Sequence, residues 1–245
     1  MTDLTISAVR GLPELREGDD LARLIVERAE LEDGDVLVVA QKAVSKIEGR
    51  VVRLDDVEPS ARAQELAGDG EGDARRIEVI LREAKRIVRT RGSLVIAETP
   101  HGFICASAGV DASNAPEPGT LVLLPVDPDA SAARLRDRLR ELTGREVGVV
   151  MSDSFGRPWR QGTTDVAIGA AGVEVLRDLK GDRDPTGYKL KSTVIAIADE
   201  IAGAGELVMG KLDRTPVAIV RGLRDTRGES SGRDLVMPPE RNLFP

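Results

Sequence analysis

The chain predicts a mixed α+β fold: irregular mixed sheets with flanking helices, in an irregular α/β order. Three observations carry that prediction. Short β-branched apolar runs such as DVLVVA (35–40) and PVAIVRGL (216–223) read as buried strands. Between them lie charged segments with apolar residues at helical spacing. The two kinds alternate loosely, without the regular βαβ beat of a doubly wound sheet.

The opening TISAVRGLPEL reads as a short strand entering a turn. EGDDLARLIVERAELEDGD follows as an amphipathic helix, with Leu21, Leu24, Ile25 and Ala29 on one face and Asp19 or Asp20 as its cap. After the strand DVLVVA, the stretch from Pro59 to Arg91 reads as helix with a polar break inside it. SLVIAETPHGFICASAGV predicts two strands around a Thr-Pro-His-Gly turn. LVLLPV is a further strand, followed by a charged helix from about Ser131 to Thr143 and the strand EVGVVMSD. A Gly/Pro/Arg-rich loop, the strand STVIAIADE, a small-residue helix and the strand PVAIVRGL complete the order.

At 245 residues the chain can bury a core without staples. Its 35 basic and 42 acidic residues leave a net charge of −7, and aromatics are only 2%, which argues against a base-stacking or broadly basic nucleic-acid binder. The single cysteine, Cys105, excludes an internal disulfide framework and any multi-cysteine metal site; it reads as a buried spectator. No run approaches the roughly 20 apolar residues of a membrane span. The N-terminus lacks the pattern of a signal peptide, so the expected location is the cytoplasm. An anionic substrate would have to be met locally, by a few basic groups or by metal ions.

Three stretches break apolar strands with acids and small polar residues: GVDASN (109–114), VMSDSFGRPWRQGTTD (150–165) and ADEIAGAGELVMGK (198–211). Asp111 and Asp153 each stand just past a strand's hydrophobic run, with Asn114 and Ser154 beside them. Such hard oxygen donors suit Mg²⁺ or Mn²⁺, although each acid taken alone reads more readily as a turn cap. Two such sites beside glycine-rich basic loops favour a ligand set. Arg157 and Arg160 offer forked donors for phosphate or carboxylate, and the only tryptophan, Trp159, lies between them. In QKAVSK, Lys42 and Lys46 would share one face of a helix that starts directly after a strand, a plausible phosphate site. GELVMGK (205–211) imitates the start of a Walker A loop, but Leu212 replaces the required hydroxyl and its apolar interior is helix-prone. It is not read as a P-loop, though Glu206 could still reach a metal. His101 is read as a turn residue.

Together QKAVSKIEGR, HGFICASAGVDASN, SDSFGRPWRQGTTDVAIG, GELVMGK and GRDLVMPPERNLF resemble the γ-glutamyl ligases of deazaflavin coenzyme F-420 biosynthesis, over nearly the whole chain. The resemblance implies one ligase domain over 1–245, divisible into two intertwined subdomains, in the form without a following nitroreductase-like domain. It implies a fold that is neither P-loop nor ATP-grasp, and a homodimer. The implied reaction couples GTP hydrolysis to an amide bond between L-glutamate and coenzyme F-420-0, followed by further γ-linked glutamates. Two divalent cations (Mn²⁺ or Mg²⁺) serve it, with room for a monovalent one. Carried over by motif, Asp111 and Asp153 would hold one metal, and Ser154 and Glu206 the second. Asp153, Arg157 and Arg160 would act in the chemistry. The nucleotide would contact Leu12, Pro13, Glu14 and Leu15, then Gln41, Lys42, Lys46 and Asn114. Its remaining contacts would come from Ala204, Gly205, Glu206, Leu207, Val208, Met209, Gly210 and Lys211. A metal-dependent nucleotide phosphohydrolase, or an amide ligase with another acceptor, stands as the alternative.

Overall fold

A computed structural model describes residues 3–68, 72–224 and 226–243. The elements follow as β1 (Thr5–Ala8), α1 (Leu21–Val26), β2 (Val36–Ala40), α2 (Gln41–Ile47), β3 (Val51–Arg53), α3 (Ala61–Ala67) and α4 (Ala74–Glu83). Then come β4 (Arg86–Arg91), β5 (Leu94–Glu98), β6 (Ile104–Ala106), β7 (Thr120–Val122), α5 (Pro128–Thr143), β8 (Gly148–Arg157) and β9 (Arg160–Ala171). β10 (Arg177–Asp178), β11 (Val194–Ile195), α6 (Ile197–Met209) and β12 (Val217–Arg221) end the series. The architecture is mixed α+β, as the sequence predicts.

The main sheet has the order β1-β12-β2-β8-β9, in which only β2 and β8 run parallel. Alternation along its strands feeds two cores. Leu37, Val39, Val149, Met151 and Ile168 face α1, α2 and α5, whereas Val36, Val38, Val150 and Ala167 face α6. A third apolar cluster, from Val57 to Leu123, joins α3 and α4 to β5 and β7. Helix α6 sits unusually close to the sheet: a side chain at Gly205 would meet Val38 at 2.7 Å. Helix α5 takes its N-cap from Asp127 and ends at left-handed Gly144, the expected chemistry for both ends.

Four local expectations change. The helix expected from Pro59 to Arg91 ends at Glu83, and β4 pairs antiparallel with β5 beyond it; the β-branched pair Ile87 and Val88 favours a strand. Its polar break includes 69–71, outside the described residues. The Gly/Pro/Arg-rich loop is a hairpin, because cross-strand pairing carries β8 and β9 to Arg157↔Arg160. Pro158 and Trp159 form its turn, and Trp159 takes a positive φ (56°), a conformation that turns usually leave to glycine or asparagine. In STVIAIADE only Val194–Ile195 is strand, since Asp199 and Glu200 already lie in the first turn of α6. Helix α1 stops at Val26, before Ala29.

Candidate functional site

The site forms where β2 stops. Ala40, its last residue, pairs with Ser152, and β8 continues without that neighbour through Asp153 and Ser154. Both faces of β8 are thereby exposed to one cleft of about 510 Å³. Odd-numbered Asp153 lies on the α2 side of the strand. Ser152 and Ser154 lie on the α6 side, in phase with Val150.

On the α2 side, the helix begins at Gln41 directly after the strand and presents Lys42 and Lys46 one turn apart. Lys42 Nζ donates to Asp111 Oδ2 at 2.5 Å and to Ser113 Oγ at 2.7 Å, while Lys46 pairs with Glu14. Burial favours the neutral acid at Asp111, but hydrogen bonds from Lys42 and Ser113 prevail and hold it down at about 2. Lys42 is itself lowered, because burial outweighs the support of Asp111. Asp153 is pushed up to about 7 by burial, and Asp165 and Asp111 add to that push against a hydrogen bond from the Ser154 backbone N–H and the charge of Lys42. Cys105 lies in the field of Asp153; burial first and then that carboxylate raise its thiol to about 12, so it is inert as a nucleophile.

On the α6 side, Ser154 Oγ donates to Asp165 Oδ1 at 2.7 Å across the hairpin. Glu206 reaches the cleft from α6 and is raised by burial and by Asp165, with Lys211 opposing. The last turn of α6 is closed by Thr215 Oγ1 donating to Met209 O at 2.5 Å, and Asn114 Nδ2 donates to Lys211 O at 3.3 Å across the cleft mouth. GELVMGK is thus a helix C-terminus, which turns carbonyls rather than N–H groups toward the cleft. Rejecting it as a P-loop agrees with that geometry.

Most of the expected site residues line this one cleft: Leu12, Pro13, Glu14 and Leu15, then Gln41, Lys42, Lys46 and Asn114, then Asp153, Ser154, Glu206, Met209, Gly210 and Lys211. Asp111 is joined to it through Lys42. Ala204, Gly205, Leu207 and Val208 are not in its wall; Gly205 packs on Val38 and Leu207 faces outward. Arg157 and Arg160 also lie off the wall, at the hairpin end, where Arg157 donates to Gln161 O at 3.3 Å. Sequence reasoning missed Ser152, Asp165, Arg214 and Thr215, which do line the cleft. Asp165 was detectable in principle, since reading 150–165 as a hairpin sets it opposite Ser154.

The chain's F420-0:Gamma-glutamyl ligase match spans residues 11–222. It is 51% identical to the coenzyme F-420:L-glutamate ligase of Methanopyrus kandleri over 94% of this chain and 93% of that protein. The ligases of the same name from Methanocaldococcus jannaschii and Archaeoglobus fulgidus are 44% and 43% identical, over 95% and 96% of this chain and 94% of each relative. The chain belongs to the F-420-0:gamma-glutamyl ligase family. The matched span holds β2, α2, β8, β9 and α6, and so every element that walls the ligase cleft.

The donor chemistry of this ligase cleft suits divalent cations. Asp153, Asp165 and Glu206 bring three carboxylates into its wall beside the Ser154 hydroxyl. Among the described residues, no three His, Cys, Asp or Glu side chains already stand in metal-holding geometry. Magnesium-type sites commonly take one or two carboxylates and complete their shell with waters and substrate phosphates, so the set fits an ion delivered with a nucleotide. Two buried polar atoms in the wall, Gln41 Nε2 and Ser152 Oγ, have no hydrogen-bond partner, which fits a ligand that supplies one.

Proposed function

We propose that this chain joins L-glutamate to coenzyme F-420-0, in line with the name coenzyme F-420:L-glutamate ligase that its relatives carry, that GTP is the cosubstrate, and that the product is extended with further γ-linked glutamates. One observation supports this most: a single cleft sets lysines for phosphate on one side of a strand and acids for cations on both. An amide does not form readily from a carboxylate and an amine in water, because the carboxylate has no leaving group. The terminal carboxylate of F-420-0 attacks the γ-phosphorus of GTP, the bond to the β-phosphate oxygen breaks, and GDP leaves. The glutamate amine then attacks the acyl phosphate, phosphate departs, and the amine loses a proton.

Lys42, Lys46 and Lys211 bind the triphosphate, with Gln41 Nε2 as a neutral donor beside them. Asp111 and Asp153 would hold one divalent cation, and Ser154 and Glu206 a second. When bound, such ions neutralise phosphate charge and align attacking and leaving oxygens. Arg157 and Arg160 would serve from the hairpin end, within a homodimer. The deciding experiment is mass spectrometry of the chain with F-420-0, L-glutamate, Mn²⁺ and either GTP or ATP. Formation of F-420-1 and GDP is expected. Phosphate release without either acceptor would replace this reading with a phosphohydrolase.

A further inference from the structure

Asp165 is a buried carboxylate that the carried-over ligand set leaves without a role. It lies on β9 directly across from Ser154 and lines the cleft. Its Oδ1 accepts the Ser154 hydroxyl proton at 2.7 Å, and among the described residues no lysine or arginine forms an ion pair with it. Helix α6 crosses it closely: a side chain at Gly203 would come within 3.8 Å of Asp165 O, and Glu206 follows Gly203 by one turn on the same helix face. The charge of Asp165 also opposes the ionisation of both Asp153 and Glu206, so it lies within electrostatic reach of the acids on both faces of β8. An independent sign of a ligand lies two residues along β8 on the same face. Ser152, 1% exposed, lines the cleft with its Oγ unpartnered.

We propose that Asp165 is a ligand of the divalent cation on the α6 side, completing with Glu206 and the Ser154 hydroxyl the set that receives a nucleotide-bound ion. A hydroxyl can turn a lone pair toward a cation only if its proton goes elsewhere. Asp165 Oδ1 takes that proton, leaving Oδ2 for the ion itself. This inference rests on the metal-dependent reading above, and the test separates the two.

Mn²⁺ binding to the full chain is measured by titration with electron paramagnetic resonance detection, with Mn²⁺ alone and with GTP added. Wild type is expected to bind two ions per chain. Asp165→Asn, which preserves shape and can still accept from Ser154, should keep one ion at unchanged affinity and weaken the other about 10–100-fold. Glu206→Gln should weaken that same ion, and adding Asp165→Asn to it should bring a less than additive further loss. Circular dichroism confirms that the variants fold, and if Asp165→Asn does not, Ser154→Ala should still weaken the same ion about tenfold. Wild type binding no Mn²⁺ would overturn the metal reading and this assignment with it. Two ions at wild-type affinity in Asp165→Asn would overturn Asp165 alone.

Discussion

Strand β2 has a buried polar residue at each end, and the two are treated in opposite ways. Asp35, just before it, and Gln41, just after it, are both 1% exposed. Asp35 is fully matched: Arg221 Nε and Nη2 each donate to it at 2.8 Å, and the same guanidinium reaches Glu32 at 2.5 Å and Glu30 O at 3.0 Å. These bonds raise Arg221 above its ordinary pKa. Gln41 has only half its amide occupied, Oε1 accepting from Ser45 at 2.8 Å, while Nε2 has no partner. The same economy recurs at Ser152, whose Oγ has no partner, beside the raised carboxyl of Asp153. One end of the sheet closes its polar accounts for stability; the other leaves donors and acids open. Buried polar groups are nearly always satisfied in a finished structure, so a cluster of open ones marks where a ligand completes the molecule.

The largest test of this contrast breaks the closed end. Asp35→Ala removes two charge-assisted hydrogen bonds from Arg221 and leaves the Glu32 N–H without its acceptor, and should cost about 3 kcal/mol, read by urea denaturation. Asp153→Asn breaks the open end and should lower the ligation rate by about 10²–10³ with Mn²⁺ present, with a native circular dichroism spectrum. Near wild-type turnover would remove Asp153 from the chemistry.

The same carboxyl predicts a pH dependence. Its folded pKa of about 7 lies above the ordinary 3.8, so its stabilising contribution is complete below that ordinary value. It is lost as pH rises through about 7. At about 1.4 kcal/mol per pH unit, metal-free protein should lose on the order of 4 kcal/mol between pH 4 and 8 from this group. Asp153→Asn should flatten that part of the curve, and Mn²⁺ should bind more tightly at the alkaline end. A smaller effect is expected at Gln41: Gln41→Leu should shift stability by about 1 kcal/mol or less while weakening GTP binding about tenfold, read by calorimetry. Smallest is Arg160→Ala at the hairpin end, expected to raise KM for the anionic acceptor severalfold; unchanged KM and kcat would make that turn scaffold.

What the sequence revealed follows from which interactions are local. β2 and the body of α5 were legible because apolar runs and helical spacing act within a few residues, but the first turn of α5, Pro128–Ala130 capped by Asp127, lay ahead of the expected start at Ser131. The lysine face of α2 was legible from spacing alone. Strand β4 was hidden because RIVRTR carries as much charge as the helix before it, and only pairing with β5 selects the extended form. The β8–β9 hairpin was hidden for a related reason. Gly156, Pro158 and Gly162 read as loop, while the cross-strand bonds that keep the segment extended join residues up to 22 apart, as at Val149↔Ala171. Missing that register also concealed Asp165, whose meaning depends on Ser154 lying opposite. The acids Asp111, Asp153 and Glu206 were named from motifs, but their grouping on two sides of one strand was visible only after folding.

Gly205 bears on how such a molecule could be re-engineered. With no room between its backbone and Val38, the helix that carries Glu206 cannot move closer to the sheet, and any side chain at this position would push it away. The height of Glu206 above the strands is thus set by a missing side chain, while Lys211, Arg214 and Thr215 on the rim are free of that constraint.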